Sequence, residues 1–428
     1  MKKILIIGDR AREHALAWKL KQSPEVGEIF IAPGNAGTAL VGKNVPIKIT
    51  DTAALRDFAK KEKIDLTVVG SDEPGPLGIV DQFKKEGLLI FGPTQAAAQI
   101  EASKAFSKKL MKEEGIPTAA FETFTDYDSA IGYVDEKGTP IVIKASGLAA
   151  GKGAIVCKTI DEAHAALKEI MVDKIFGDAG AEVVVEEFLE GQEISIHAFS
   201  DGKTFKMFPT AQDHKPIGDG DAGPNTGGMG TIAPVPWTDA DLIERVKAKI
   251  VEPTLNGLAK RGSPFAGILY PGLMMTKNGP RVLEFNARFG DPEAQSYLRL
   301  LKTDLFMVLE ACAKGELDKL DIEWQSGFAA CVVIASGGYP DEYKKGLPIS
   351  GIEEAEKVDD VVIFHAGTKI ENGQFITSGG RVFSVTATGV TLDEALEKAY
   401  AACGKIHFEG MYYRKDIGRR KAPGFNQS

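Results

Sequence analysis

The sequence predicts a multidomain fold, part α/β and part α+β, that opens with a parallel sheet. Three observations carry this. Short apolar runs alternate with helical stretches through the first hundred residues, the pattern of βαβ units. Past Gly92-Pro93 that alternation gives way to mixed strands, helices and glycine-rich loops. And 428 residues leave room for roughly two to four domains at about 100–200 residues each.

The elements follow in order. Residues 3–7 read as a buried strand and 12–21 as a helix with Leu16 and Leu20 on one side. Strands are expected at 29–32, 66–69 and 88–91, with helices at 52–62 and 77–85 between them. Binding loops in such sheets lie at the carboxyl ends of the strands, here residues 8–13, 33–38 and 70–75. One helix is expected over 96–114, ended by Gly115 and Pro117. A smaller mixed unit follows, with strands at 140–145, 154–158 and 183–188 and a helix at 161–171. A strand-and-loop region then leads to a helix at 239–251, opened by a Thr238…Asp241 pair, a strand at 281–286 and helices near 292–301 and 304–314. A last unit starts near Gly327, with strands at 329–335, 361–365 and 381–388. Its helix at 392–406 has the start signal Thr391…Glu394.

Composition excludes several function classes. The chain is 43% hydrophobic and 26% charged, with a net charge of −9. No broad polyanion-binding surface fits that balance, so nucleic acid is not an expected partner, though a basic pocket for one small phosphate stays open. Cys157, Cys312, Cys331 and Cys403 are spaced for neither zinc nor a disulfide framework, which suits a reducing cytoplasm. Met1-Lys2-Lys3 superficially resembles a signal peptide, but the apolar run stops at Gly8, short of the roughly 7–15 residues an h-region needs. No run approaches the ~18 apolar residues of a membrane span. The tail after Gly418 is polar and expected to fray.

Two segments carry the chemistry. Gly147-Leu-Ala-Ala-Gly151-Lys152-Gly153 is a glycine loop whose backbone N–H groups can approach phosphate oxygens, with a lysine to add charge. It is not a P-loop, because Gly153 stands where Ser or Thr is needed and a strand follows instead of a helix. It reads as a lid over nucleotide phosphates; a plain hairpin turn is the alternative. Lys144 feeds the loop and Lys104 opens the preceding helix. After the strand ending in Glu186-Glu187, the backbone at Phe188–Leu189 can pair with an adenine edge, and Glu193 can accept from ribose hydroxyls. The second segment is Leu283-Glu284-Phe285-Asn286-Ala287-Arg288-Phe289-Gly290-Asp291-Pro292-Glu293. On a strand over 282–288, Glu284, Asn286 and Arg288 share one face. A carboxylate and an amide oxygen suit Mg²⁺, which takes few protein oxygens plus substrate phosphates, and Arg288 can stabilise a transferring phosphoryl group. A solvated strand face is the alternative. Gln212-Asp213-His214-Lys215 and the glycine-dense loop over 219–230 add further polar groups; His214 is either a catalyst or a locally bonded loop histidine.

Taken in order, these segments resemble the ATP-grasp ligases and, among them, the phosphoribosylamine–glycine ligase (glycinamide ribonucleotide synthetase) family. The resemblance runs through Arg12-Glu13-His14-Ala15-Leu16, Ala32-Pro33-Gly34-Asn35-Ala36-Gly37-Thr38, Ser103-Lys104-Ala105-Phe106, Gln212–Lys215, Pro224-Asn225-Thr226-Gly227-Gly228-Met229-Gly230, Tyr270-Pro271-Gly272 and Glu284–Glu293. It closes with His365-Ala-Gly-Thr-Lys369, Gly379-Gly-Arg-Val382 and Arg414-Lys-Asp-Ile-Gly418, and so covers nearly the whole chain.

The resemblance implies an N-terminal sheet domain over 1–102, a two-lobed ATP-grasp unit over 103–326 with a lid lobe at about 120–190, and a C-terminal mixed α/β domain over 327–428. It implies ATP held by Lys104, Lys144, Gly147, Gly151, Lys152, Gly153, Glu186, Phe188, Leu189 and Glu193, and Mg²⁺ or Mn²⁺ at Glu284 and Asn286. It implies that glycine is joined to 5-phosphoribosylamine through a glycyl phosphate, in purine (IMP) biosynthesis, by a cytoplasmic monomer or dimer. Substrate contacts are expected from Gly8, Arg12, Glu13, Asn35, Gly37, Asp213, Lys215, Thr226, Arg288 and Glu293, and catalytic roles from Arg288, Asp213, His214 and Asp291. The chain departs from the family pattern at Arg10 and Ala11, where glycines are usual, at Ser71–Gly75, and at Pro216. Arg10 would either clash with the phosphosugar or bind its phosphate. Another amine acceptor is therefore an alternative; so, from other classes, are a nucleotide sensor and a dinucleotide oxidoreductase, the last lacking its G-x-G-x-x-G glycines.

Overall fold

In the computed structural model, which describes residues 1–149, 153–420 and 422, the chain builds three main sheets. The first is parallel, in the order β3-β2-β1-β4-β5, from strands β1 (Lys2–Gly8), β2 (Val26–Pro33), β3 (Lys43–Asn44), β4 (Leu66–Val69) and β5 (Ile90–Phe91). Its middle strand is the apolar run after Lys3. Side chains alternate across a strand, so Ile4 and Ile6 enter one core with Ala15 and Leu16, while Leu5 and Ile7 enter another with Leu55 and Phe83. Covered on both faces, the strand needs no polar face, which is why it reads as an unbroken apolar run.

The second sheet is antiparallel, in the order β6-β9-β7-β8, from β6 (Phe121–Phe124), β7 (Ile141–Ala145), β8 (Ala154–Cys157) and β9 (Val183–Glu187). Helices Tyr127–Lys137 and Ile160–Leu167 cover one side through Ala130, Val134, Ala163 and Leu167.

The third sheet runs through the rest of the chain. Its strands are β10 (Gln192–Asp201), β11 (Phe205–Asp213), β14 (Gly230–Ala233), β15 (Ala266–Thr276), β16 (Gly279–Asn286), β17 (Phe328–Ala335), β18 (Val361–His365) and β21 (Arg381–Gly389). Two hairpins stand apart from it, β12 (Pro216–Gly218) with β13 (Ala222–Asn225), and β19 (Thr368–Glu371) with β20 (Gln374–Thr377). The eight strands lie in the order β16-β15-β10-β11-β14-β17-β21-β18. The pairing of β14 with β17 makes the last unit a continuation of the same sheet.

Three expectations need correction. The single helix over 96–114 is two, Gln95–Ala102 and Lys104–Glu113, because Ser103 adopts an extended backbone and its hydroxyl caps the second by accepting from Phe106 N–H at 3.1 Å. The helix expected to stop at residue 251 continues to Lys260, passing through a wider turn at Lys247–Val251 that accommodates Pro253, which has no N–H to donate. Its cap is Asp239, not Thr238, whose hydroxyl is bonded to the Val235 carbonyl. No helix among the described residues is long and apolar enough to cross a membrane.

Candidate functional site

A cleft of about 310 Å³ opens between the lid sheet and β16. Neighbouring strands β7 and β9 bring Lys144 and Glu186 from the lid, and the helix Lys104–Glu113 brings Lys108 one turn below Lys104. Glu186 is 2% exposed and forms ion pairs with both Lys108 and Lys144. Burial alone would raise its carboxyl, but the two ammonium groups hold it below its ordinary value. Lys108 is pushed down to about 8 by burial, against the pull of Glu186. The break at Ser103 matters here. It turns the start of the second helix onto the lid, where Lys104 N–H donates to the Ser146 carbonyl at 2.8 Å and Lys104 Nζ to the Gly147 carbonyl at 3.3 Å. Ile100, Met111, Val142, Val156, Phe188, Leu189 and Leu283 contribute apolar side chains to the lining of the same cleft.

The acidic strand forms the opposite wall. The ladder of β16 ends at Asn286, two residues sooner than a strand over 282–288 requires, and Glu101 takes the next N–H, that of Ala287, at 2.9 Å. Arg288 nevertheless stays on the expected face, donating to Asn286 Oδ1 at 2.9 Å and pairing with Glu101 at 3.2 Å. Burial raises the Glu284 carboxyl, but Lys215, Lys104, Lys144 and Arg288 outweigh it and keep the group below its ordinary value. Among the described residues this ionised carboxylate has no hydrogen-bond partner. A carboxylate and an amide oxygen two residues apart on one strand are the kind of donors a hard cation takes when phosphates supply the rest; the described residues hold no group of three acid, His or Cys ligands.

Lys215 forms an ion pair with Glu193, and Thr226 caps the same loop, its hydroxyl donating to the Lys215 carbonyl at 2.7 Å. Asp291 is held by Gln295 at 2.7 Å and by Arg381 at 3.1 Å; burial works against its ionisation, and Arg381 and Arg12 more than offset that, holding it below its ordinary value. Asp213 is pushed well above its ordinary value by burial and by the charge of Glu293.

The cleft thus brings together Lys104, Lys144, Gly153, Glu186, Phe188, Leu189, Glu193, Asp213, Lys215, Thr226, Glu284, Asn286, Arg288, Asp291 and Glu293. Other expected positions lie elsewhere. His214 is fully buried; its Nδ1 meets the Gly230 carbonyl at 3.2 Å and its Nε2 accepts from Gly418 N–H at 3.1 Å. Arg12 and Glu13 are buried and paired at 2.7 Å, with Arg12 also donating to the Phe289 carbonyl at 2.9 Å, so they brace the first sheet against the acidic strand. Gly8 and Gly37 serve close packing, against Glu13 and His14. Gly147 offers its carbonyl to Lys104, and Gly151 and Lys152 lie outside the described residues. Asn35 lines a second depression of about 820 Å³ with Arg10, Lys369 and Arg381, and this depression shares Asn225, Thr226, Gly227 and Asp291 with the cleft.

Sequence reasoning named neither Lys108 nor Glu101, and gave Asp72, Tyr270 and Arg381 only as members of a binding loop or of family motifs, with no role of their own. Lys108 had a signal, since it stands four residues after Lys104 on one helix face. Glu101 needed the tertiary structure, as did the pairing of Arg381 with Asp291 across units.

Three family models match the chain in succession: the phosphoribosylglycinamide synthetase N domain at residues 2–101, its ATP-grasp (A) domain at 102–294 and its C domain at 329–420. A phosphoribosylamine–glycine ligase of Escherichia coli O157:H7 is 50% identical over 422 residues, 98% of each chain. One from Vibrio cholerae is 49% identical over 97% of this chain and 98% of its own. A solved phosphoribosylamine–glycine ligase from Thermotoga maritima superposes with a TM-score of 0.84 at 34% identity, covering 97% of this chain and 100% of that one. The biotin carboxylase domain of Hydrogenobacter thermophilus 2-oxoglutarate carboxylase, solved with MgADP, shares the fold at a TM-score of 0.73 and 16% identity, over 98% and 96% of the two chains.

Proposed function

The chain belongs to the phosphoribosylglycinamide synthetase family, and from that footing we propose that its cleft joins glycine to 5-phosphoribosylamine at the expense of ATP, giving glycinamide ribonucleotide, ADP and phosphate. The observation that carries the reading is Glu284, an ionised carboxylate with no hydrogen-bond partner among the described residues, facing Lys104, Lys144 and Lys215 across the cleft.

A carboxylate resists amine attack because its leaving group would be oxide. Transfer of the γ-phosphoryl group to glycine replaces that with phosphate. The glycine oxygen attacks phosphorus in line as the bond to the β-phosphate oxygen breaks. The amine nitrogen of phosphoribosylamine then attacks the acyl carbon, phosphate leaves, and the nitrogen sheds a proton. Lys104 and Lys144 offset phosphate charge, and the apolar side chains of the cleft, with the Phe188–Leu189 backbone, hold the base. Glu284 and Asn286 would hold Mg²⁺ or Mn²⁺, which supplies electrostatic neutralisation of the phosphate oxygens. Arg288 orients the acyl phosphate. Lid closure through the loop ending at Gly153 keeps water from it. The second depression, with Arg10, Asn35, Lys369 and Arg381, is the place for the phosphosugar amine, and there Arg10 serves its phosphate. The three units divide at residues 102 and 326, and the reaction is cytoplasmic.

The test is phosphate release from ATP with glycine and freshly prepared phosphoribosylamine, each omitted in turn. Release should need both; release with either missing, or with a different amine in place of phosphoribosylamine, counts against the assignment. Glu284→Gln should lower kcat roughly 100-fold or more, the scale of charge stabilisation by a metal. Its effect on metal-free ADP binding, read by calorimetry, should be far smaller, and equal losses in both would remove the metal role.

A further inference from the structure

The motif Arg414-Lys-Asp-Ile-Gly418 lines neither the cleft nor the second depression, yet it is fastened to the loop that serves both. That loop carries Asp213 and Lys215 into the cleft and sets Asn225, Thr226 and Gly227 against both spaces. Arg414 is fully buried. Its guanidinium grips the two oxygens of Asp416, each at 2.7 Å, reaches Asp221 Oδ1 at 2.9 Å and donates to the Pro216 carbonyl at 3.0 Å. Gly418 N–H donates to His214 Nε2 and Arg420 Nη1 to the Asp213 carbonyl, both at 3.1 Å. Asp213, His214 and Pro216 are thus each held by the arm. Two main-chain contacts close the hairpin tip, Gly220 N–H on Asp416 Oδ2 and Lys415 N–H on Asp219 Oδ1, each at 2.8 Å. The arm is itself anchored. The Tyr400 hydroxyl donates to the Arg414 carbonyl at 3.1 Å and accepts from Ile417 N–H at 3.0 Å, and Ile417 lies in the core of the last unit.

A planar guanidinium that donates from all three nitrogens fixes direction as well as distance. Resting on the ligase reading above, we infer that residues 414–420 form a clasp that positions this loop for the second step, with Arg414 and Asp221 as its positioning residues. They act through the loop and not on a substrate. A loop free to move would admit water, whose oxygen attacks the acyl carbon; phosphate then leaves, glycine is returned, and ATP is consumed without product.

The ratio of phosphate released to glycinamide ribonucleotide formed, measured on the full chain, tests this, because it does not depend on how many molecules are folded. Asp221 has φ 59°, a left-handed conformation that asparagine also tolerates. Asp221→Asn therefore keeps the backbone and removes only the charge facing Arg414 and Arg420. Phosphate should then exceed product about two- to tenfold, the change in rate that one net hydrogen bond is worth, while the KM for ATP stays within about twofold. Arg414→Lys, which keeps the charge and loses the fork, should shift the ratio the same way. Arg420→Gln, at the edge of the clasp, carries the same expectation should either of the others unfold. A ratio that stays at one overturns the clasp, as does a fall of phosphate and product in step, which is what mere destabilisation gives. An unaltered enzyme that makes no product from glycine and phosphoribosylamine defeats the ligase reading instead.

Discussion

Burial drives four histidines, His14, His197, His214 and His365, below their ordinary 6.5: His14 and His214 to about 3, His365 to about 4, and His197 well below. Their folded values lie under the unfolded one, so between the two the unfolded chain binds protons that the native chain refuses. Stability is then complete above pH 6.5 and falls as pH drops towards 3–4. At pH 5, one and a half units below the ordinary value, each such histidine costs roughly 2 kcal/mol. Urea unfolding at pH 7 and pH 5 should show a steep loss, and His214→Gln, whose amide can replace both ring bonds, should flatten the slope by about one proton. The same residue shows how far sequence carries at this scale. The Gln-Asp-His-Lys run marked the right loop, and Asp213 and Lys215 do enter the cleft. His214 turns the other way, because side chains alternate and its backbone continues the ladder beside Gly230.

Whether an element could be read depended on where its side chains point. The strand Leu66–Val69 has the expected bounds, because it is apolar on both faces. Strand β10 lies within what the sequence shows only as a strand-and-loop region, although Ile194, Ile196 and Ala198 alternate with Ser195 and His197; those two polar residues are buried on the face that meets Glu293 and Tyr270. The helix break was written in Ser103, a residue suited to capping, but an apolar period continuing on both sides obscured it. Ser103→Ala should cost about 1 kcal/mol and loosen the contact between Lys104 and the lid. Thermal denaturation reads the first effect and the KM for ATP the second. For the lid itself, Gly153→Val would drive a side chain into Ala149, since even a Cβ there would lie 2.6 Å from it. Phosphate release should then outrun product formation, or turnover should stop; tight coupling at full rate would leave the loop as a mere turn.

At the scale of the whole molecule, β14 is the joint. Its residues Gly230–Ala233 are buried between β11 and β17, and Ile232 shares a core with Ala330, Val332 and Leu396 of the last unit. A chain cut after residue 326 would expose that edge and that apolar face together. It should fail to give a cooperative melt by circular dichroism, whereas independent folding of residues 1–326 would show the joint to be dispensable. No sequence pattern announced this, because strand order depends on pairings between residues about a hundred positions apart.

The ridge of Asn225, Thr226, Gly227 and Asp291 belongs to both hollows at once. A reactive acyl group made on one side is therefore separated from its amine by the thickness of a loop rather than by a stretch of open water. Handover across such a partition leaves an outside nucleophile little opportunity. Hydroxylamine added to the turning-over enzyme should intercept few acyl groups while the amine is present, and more once it is withheld.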